Sequence, residues 1–108
     1  MSQHYFRTIH NNKPILVLMG WDRPLQQFFL VVEDTEATED EYLYSNLFDT
    51  ETFAAQPELS YYEGKLQELG IKVPHKMIEE VLRDRARNVG NRIVNYNAEG
   101  VITESKPA

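Results

Sequence analysis

Residues 15–19 read Ile15-Leu16-Val17-Leu18-Met19 and form one of the longest apolar runs in the chain. Five residues are too few for a typical helix, and a continuous apolar run predicts a strand that is covered on both faces. Pro14 precedes the run directly and suits the start of a strand, where its missing N–H does no harm. The run therefore predicts a strand inside a sheet.

Further strands are predicted on both sides of this run. Residues 4–10 are rich in strand formers, and Asn11-Asn12 after them accept the positive φ of a two-residue hairpin turn. Residues 20–24, Gly-Trp-Asp-Arg-Pro, are predicted to form a turn, and residues 27–33 a third strand. A short fourth strand fits residues 42–48. Consecutive strands with short connections predict an antiparallel meander.

The second half of the chain changes to helical periodicity. Ser60 and Glu63 have the spacing of a capping box, although a helix that starts nearer Pro57 is an alternative. Gly70 suits the end of this helix. The residues that share one face are Leu59, Tyr62, Leu66 and Leu69.

A second helix is predicted to open at Pro74 and to end at Gly90. The residues that share the core-facing stripe of this helix, by their spacing, are Ile78, Val81, Leu82, Arg85 and Val89. Residues 92–97 fit either a last short strand or an extension of this helix. Residues 98–108 offer little to a core beyond Val101 and Ile102, and we expect a flexible C-terminal tail there.

These elements predict an α+β fold, in which an antiparallel three- or four-stranded meander sheet is packed on one face by two C-terminal helices. The 108 residues fall within the size range of one domain. We therefore expect a single α+β domain over residues 1–97, followed by the tail over residues 98–108.

The composition excludes several kinds of chemistry. The absence of cysteine excludes disulfides and thiol catalysis, and it is consistent with a cytoplasmic location. The five glycines are too scattered for a phosphate-binding loop, and no apolar run approaches the length of a membrane span. His4 and His10 would lie about 20 Å apart along one strand, so the histidines are interpreted as surface residues. No cofactor and no metal site is expected.

The charge is divided unevenly along the chain. Residues 1–64 carry three basic and eleven acidic residues, whereas residues 65–108 carry eight basic and six acidic residues. The formal net charge is −6, which makes nucleic acid an unlikely partner. Six of the acidic residues fall within residues 33–41, where we expect an exposed loop.

Two groups of residues are candidates for binding. The predicted turn brings Trp21, Asp22 and Arg23 together, and Trp and Arg are frequent anchors of protein interfaces. A contact role for Trp21 requires that its ring be exposed in the free protein. Arg83 and Arg87 lie four residues apart on one helix face, where they would meet an acidic partner or a nucleic-acid backbone.

A third group consists of four tyrosines between residues 42 and 62, which lie among carboxylates. Such a group fits either a partner-binding patch or the cover of a sheet edge, and we favour the second interpretation.

The segments Asn11-Asn12-Lys13-Pro14, Gly20-Trp21-Asp22 and Leu69 to Pro74 resemble a small family of uncharacterised bacterial proteins. The resemblance implies a bacterial cytoplasmic origin and no particular activity. The sequence favours a non-enzymatic protein-interaction domain or a homodimer. The alternatives are a small enzyme whose acid–base pair, such as Asp22 with a histidine, meets only in the fold, and a protein that contacts or mimics nucleic acid.

Overall fold

The computed structural model describes residues 1–36, 42–52 and 56–107. Within these ranges the chain forms one six-stranded sheet and two α-helices, so the predicted α+β class is confirmed. The strands are β1 (Ser2–His10), β2 (Lys13–Asp22), β3 (Gln27–Asp34), β4 (Tyr42–Ser45), β5 (Arg92–Tyr96) and β6 (Ile102–Pro107). The helices are α1 (Leu59–Leu69) and α2 (His75–Arg87), and a 3₁₀ turn spans Asn46–Phe48.

The sheet is larger and less regular than the predicted meander. Its strand order is β4-β3-β2-β1-β5-β6, and β5 pairs parallel to β1 while the other neighbours are antiparallel. The prediction of a purely antiparallel sheet of three or four strands is therefore wrong. A parallel pair needs a long crossover, and here the chain between β4 and β5, which includes both helices, supplies it.

The turn between β1 and β2 has the predicted conformation. Asn11 has a φ of 51° and Asn12 a φ of 64°, and His10 pairs with Lys13 across the turn. Positive φ at both central residues is what a two-residue turn needs in order to match the twist of the strands.

The predicted turn at residues 20–24 begins later than expected. β2 continues through Gly20 to Asp22, and the chain reverses over residues 23–26. A Cβ atom on Gly20 would lie 2.0 Å from the backbone oxygen of Ser2, so glycine is required here by the close approach of β1. Gly20 therefore allows β1 and β2 to pack closely, and it does not belong to the turn.

The helix ends differ in part from the predictions. Gly70 has a φ of 76° and terminates α1, as predicted. The helix begins at Leu59 after Glu58, nearer to Pro57, and the capping box at Ser60 does not form. α2 ends at Arg87, and its C-cap is Asn88, whose φ is 48°, and not Gly90. Asparagine accepts this left-handed conformation better than most residues, which makes the later glycine unnecessary.

The core lies between the helices and one face of the sheet. Its buried residues are Phe6, Ile15, Val17, Met19, Trp21, Phe28, Leu30, Val32, Leu59, Tyr62, Leu66, Ile71, Met77, Ile78, Val81, Val94 and Tyr96. Leu82 was predicted in the core, but its side chain is 40 % exposed. α2 turns Met77, Val81 and Asp84 towards the sheet, and this stripe leaves Leu82 outside.

Residues 102–107 of the expected tail pair with β5, and Ile102 packs against the core. The single domain over residues 1–97 and the flexibility of the tail stay predictions. Of the predicted acidic loop, Glu33 and Asp34 belong to β3, and residues 37–41 lie outside the described residues. In the part of the chain that the structure describes, no helix is long and apolar enough to cross a membrane.

Candidate functional site

The predicted anchor Trp21 is part of the core. Its side chain is 5 % exposed, its ring packs edge-on against Phe28 with centroids 5.2 Å apart, and its Nε1 donates to Oδ1 of Asn88 at 3.0 Å. The exposure that a contact role requires is not met. Trp21 instead joins the end of β2 to the end of α2.

The other two residues of this group lie at the turn that follows. Oδ1 of Asp22 accepts the backbone N–H of Leu25 at 3.2 Å, which stabilises the turn. Arg23 is exposed, and Gln26 donates to Asn88 at 2.7 Å, so the turn lies against the C-terminal end of α2. A contact role for Arg23 stays a prediction.

Arg83 and Arg87 are both exposed on α2. Arg83 donates to Glu80 at 2.9 Å, whereas Arg87 makes no ion pair within the described ranges. Arg87 directly precedes Asn88, so it lies at the same end of the molecule as the turn. The binding role of the two arginines also stays a prediction.

A buried polar network connects the strands to α2. The Nε2 atom of His4 lies 2.6 Å from Oδ2 of Asp84, and Nδ1 of His4 lies 2.8 Å from the hydroxyl of Tyr96. His4 is fully buried, which corrects its interpretation as a surface histidine. That interpretation was wrong because the spacing of His4 and His10 excludes a metal ion shared by the two but carries no information on whether either side chain is buried.

Arg92 extends this network towards the surface. Its guanidinium donates to Oδ1 of Asp84 at 2.6 Å and to Oε1 of Glu80 at 2.8 Å. The pKa of Glu80 is lowered, chiefly by the hydrogen bond from Arg92. Burial raises the pKa of Asp84, but hydrogen bonds from His4 and Ser2 more than offset this and leave the pKa below its ordinary value. Both carboxyls are therefore ionised at neutral pH.

Within this network, the pair of His4 and Asp84 is closed to solvent, whereas Arg92 is partly exposed. His4 is 0 % exposed and Asp84 1 %, so no substrate reaches the pair in this conformation. Within the described ranges, no group of three or more histidines and carboxylates has a geometry that holds a metal ion.

An open cleft of about 510 Å³ lies beside the end of the sheet, between β4 and α1. All four residues of β4 line it, together with Lys65, Glu68 and Leu69 of α1 and the segment from Phe48 to Glu51. β4 is the terminal strand of the sheet, so one of its edges has no partner strand among the described residues.

Two tyrosine hydroxyls converge on one carboxylate at this cleft. Tyr44 and Tyr61 both donate to Oδ2 of Asp49 at 2.6 Å, and the backbone N–H of Glu51 donates to Oδ1 at 3.2 Å. These hydrogen bonds lower the pKa of Asp49. Burial and the bond to Asp49 raise the pKa of Tyr44. The cleft therefore holds a fixed negative charge flanked by neutral phenols.

The remaining charges of the cleft are mostly acidic. Glu51 and Glu68 join Asp49, and among the described residues that line the cleft the single base is Lys65. The Nζ atom of Lys65 lies 5.1 Å from the centroid of the Tyr61 ring and 3.7 Å from Glu68. The cleft already accommodates an ammonium group between an aromatic ring and a carboxylate.

The mouth of the cleft is aromatic and exposed. The rings of Tyr42 and Phe48 lie 6.3 Å apart, with 42 % and 75 % of these residues exposed. Neighbouring Leu47 is 67 % exposed. Large apolar side chains that are grouped and exposed mark interaction surfaces more often than single ones do.

Sequence reasoning identified the tyrosine cluster but preferred its interpretation as the cover of a sheet edge. Tyr44 packs against Tyr62, as the preferred interpretation expects, while Tyr42 is exposed and the partner-binding interpretation stays a prediction. The sequence reasoning missed the pair of His4 and Asp84. The sequence did contain a signal for this pair. Asp84 follows Met77 and Val81 at the spacing of one helix face, and His4 lies two residues before buried Phe6, so both point to the same face of β1.

Comparison of the chain with protein-family models, with curated proteins and with solved structures finds no match.

Proposed function

We propose that this chain is a non-enzymatic protein-interaction domain, which binds an extended segment of a partner protein in the cleft between β4 and α1. The observation that carries the proposal is that the unpaired edge of β4 and the exposed aromatic mouth belong to one cleft. A bound segment would add a strand to the sheet. Main-chain hydrogen bonds would then supply affinity, and the pocket would supply specificity.

The two edges of the sheet differ in a way that supports this site. β6, at one edge, carries Glu104, Lys106 and Pro107, and charges and proline on an edge discourage strand addition. β4, at the other edge, reads Tyr42-Leu43-Tyr44-Ser45 and has none of these residues. Among the described residues, β4 is thus the edge that is open to a partner strand.

The chemistry of the cleft supports a partner segment with a basic side chain. Asp49, Glu51 and Glu68 outnumber Lys65, and the tyrosine faces favour a cation. A lysine or arginine of the partner would lie near these carboxylates while an apolar neighbour contacts Phe48. The acidic first half of the chain favours the approach of such a segment.

The alternative of an enzyme has less support. None of the described hydrogen bonds of Asp22 involves a histidine, and the buried pair of His4 and Asp84 has no access to solvent. Nucleic acid is the less favoured partner because the cleft is acidic. A cytoplasmic location stays part of this proposal, since a chain without cysteine fits a reducing compartment.

The proposal is tested with a phage-displayed library of random peptides, selected on the purified protein. We expect enriched peptides that combine a basic and an apolar residue, and amide chemical-shift changes in β4 when they bind. Phe48→Ala should weaken binding at least about tenfold, which corresponds to about 1.4 kcal/mol. Phe48 is 75 % exposed, so the fold should tolerate this change.

Leu25→Ala provides the matched control. Leu25 is also an exposed apolar residue, at 58 %, but it lies in the turn after β2 and does not line the cleft. Its variant should bind like the parent. The proposal fails if no peptide is enriched, or if the Phe48 and Leu25 variants bind equally well.

A further inference from the structure

The face of the sheet that points away from the helices carries an apolar band. Its central strand contributes Leu16 and Leu18, and β1 and β3 contribute Tyr5, Phe29 and Val31. None of the five belongs to the core formed with the helices, and all except Phe29 are partly exposed. A central strand that is apolar on both faces is typical of a sheet covered on both faces.

Two opposite charges flank this band symmetrically. Arg7 of β1 pairs with Leu16 of β2, which in turn pairs with Glu33 of β3, so the charges lie in one row on either side of Leu16. Their Cα atoms lie about 10 Å apart, two strand spacings, with Leu16 between them. Within the described ranges, none of the ion pairs contains Arg7 or Glu33.

We propose that a second copy of the chain covers this face, about a twofold axis that lies midway between the two sheets and is parallel to β2. Rotation about that axis exchanges the positions of β1 and β3. Arg7 of each copy then lies opposite Glu33 of the other, while Leu16 and Leu18 meet their own equivalents. The face is self-complementary, as an isologous dimer interface must be.

The neighbouring row of the band fits the same arrangement. Tyr5 pairs with Leu18, and Leu18 with Val31, so the rotation places Tyr5 of each copy against Val31 of the other. At the β6 end of this face, Glu104 and Lys106 pair with each other at 2.9 Å and leave no net charge there. Two sheets stacked in this way lie about 10 Å apart with their strands nearly aligned.

This inference is independent of the proposed function. The interface uses the open face of β1, β2 and β3, whereas the cleft lies between β4 and α1. In a dimer joined through the face, each copy would keep the outer edge of its β4 available.

The test uses charge reversal at the two flanking positions of the full chain. Arg7→Glu and Glu33→Arg should each weaken dimerisation at least about tenfold in sedimentation velocity experiments, because each variant places like charges opposite each other. The double variant Arg7→Glu with Glu33→Arg should restore the homodimer. Both positions are at least partly exposed, so circular dichroism should show an unchanged fold.

The sharpest readout is a mixture of the two single variants. In a heterodimer of Arg7→Glu with Glu33→Arg, each flanking contact again joins opposite charges, so the mixture should associate more tightly than either variant alone. Native mass spectrometry or labelled chains would detect the heterodimer. Lys72→Glu is the control, since Lys72 is exposed in the connection between α1 and α2.

A parent chain that stays monomeric at all accessible concentrations overturns the proposal. So does a dimer that either charge reversal leaves intact, because the face would then not form the interface. Single variants that dissociate but do not recombine when mixed exclude the stated twofold geometry.

Discussion

The Nε2 atom of His4 lies 2.6 Å from Oδ2 of Asp84, with both side chains buried, and this contact joins β1 to α2 across 80 residues of sequence. The hydroxyl of Tyr96 holds the other ring nitrogen of His4. Arg92 pairs with the second carboxylate oxygen of Asp84. Because the polar groups of this network hydrogen-bond to one another, removal of one side chain leaves buried polar atoms without a hydrogen-bond partner.

We expect Asp84→Ala to lower the free energy of unfolding by about 3–5 kcal/mol, because it leaves Nε2 of buried His4 without a partner and removes one of the two carboxylates that Arg92 contacts. Urea denaturation measures this loss. Glu79→Ala is the control, since it removes the exposed pair with His75, in which the two side chains are 47 % and 85 % exposed. Exposed pairs contribute at most about 1 kcal/mol. Equal losses of unfolding free energy in the two variants would show that the buried pair contributes no more to stability than the exposed pair does.

The same carboxylate should make stability depend on acid pH. Hydrogen bonds from His4 and Ser2 outweigh burial and hold the pKa of Asp84 below its ordinary value of 3.8. Near pH 3.8 the folded state then binds fewer protons than the unfolded state. The contribution of Asp84 to the free energy of unfolding is therefore complete above that pH and is lost as the pH falls through the pKa of the folded state. Asp84→Asn should show a shallower decline in unfolding free energy between about pH 4 and 2.

The Glu80 carboxyl provides an internal comparison for that experiment. Its pKa is also lowered, chiefly by Arg92, so part of the acid decline should remain in Asp84→Asn. A variant whose decline is as steep as that of the parent would contradict the assigned role of Asp84.

Val17→Asp and Leu82→Asp should have opposite outcomes. Val17 is fully buried at the centre of β2, where an unpaired carboxylate costs several kcal/mol against a total stability of about 5–15 kcal/mol. Leu82 is 40 % exposed, and its variant should lose less than about 1 kcal/mol. Thermal unfolding followed by circular dichroism distinguishes them. A folded Val17 variant would refute the placement of β2 in the core.

Deletion of residues 102–108 tests whether the end of the chain is a dispensable tail. β6 pairs along β5, and Ile102 packs against the core, so we expect a loss above about 1.5 kcal/mol, comparable to exposing one large aliphatic side chain. Val101→Ser is the control, because Val101 is 58 % exposed. A deletion as mild as this control would support a flexible tail.

Much of the local structure could be predicted from residue patterns. The turn at Asn11 and Asn12, the helix end at Gly70 and the strand at residues 15–19 depend on the φ preferences or the polarity of a few neighbouring residues. The end of α2 was misplaced because two residues, Asn88 and Gly90, both suit a helix terminus.

The candidate site was predictable only in part. The tyrosines between residues 42 and 62 were visible as a cluster, but their convergence on Asp49 depends on how α1 packs beside β4. Trp21 has the residue type of an interface anchor, and residue type does not distinguish an exposed ring from a buried one.

The sequence by itself determined the α+β class, the hairpin of β1 and β2, and the existence of two helices, because each depends on periodicity or on turn residues within a short window. Only the tertiary structure decided that β5 returns parallel to β1, that His4 meets Asp84, and that Leu82 faces outwards. These features depend on contacts between distant residues and on the rotation of a helix against the sheet. They are selected by the free energy gained when apolar side chains are buried and polar groups pair across the whole fold. A short segment of sequence does not contain the information on its distant partners.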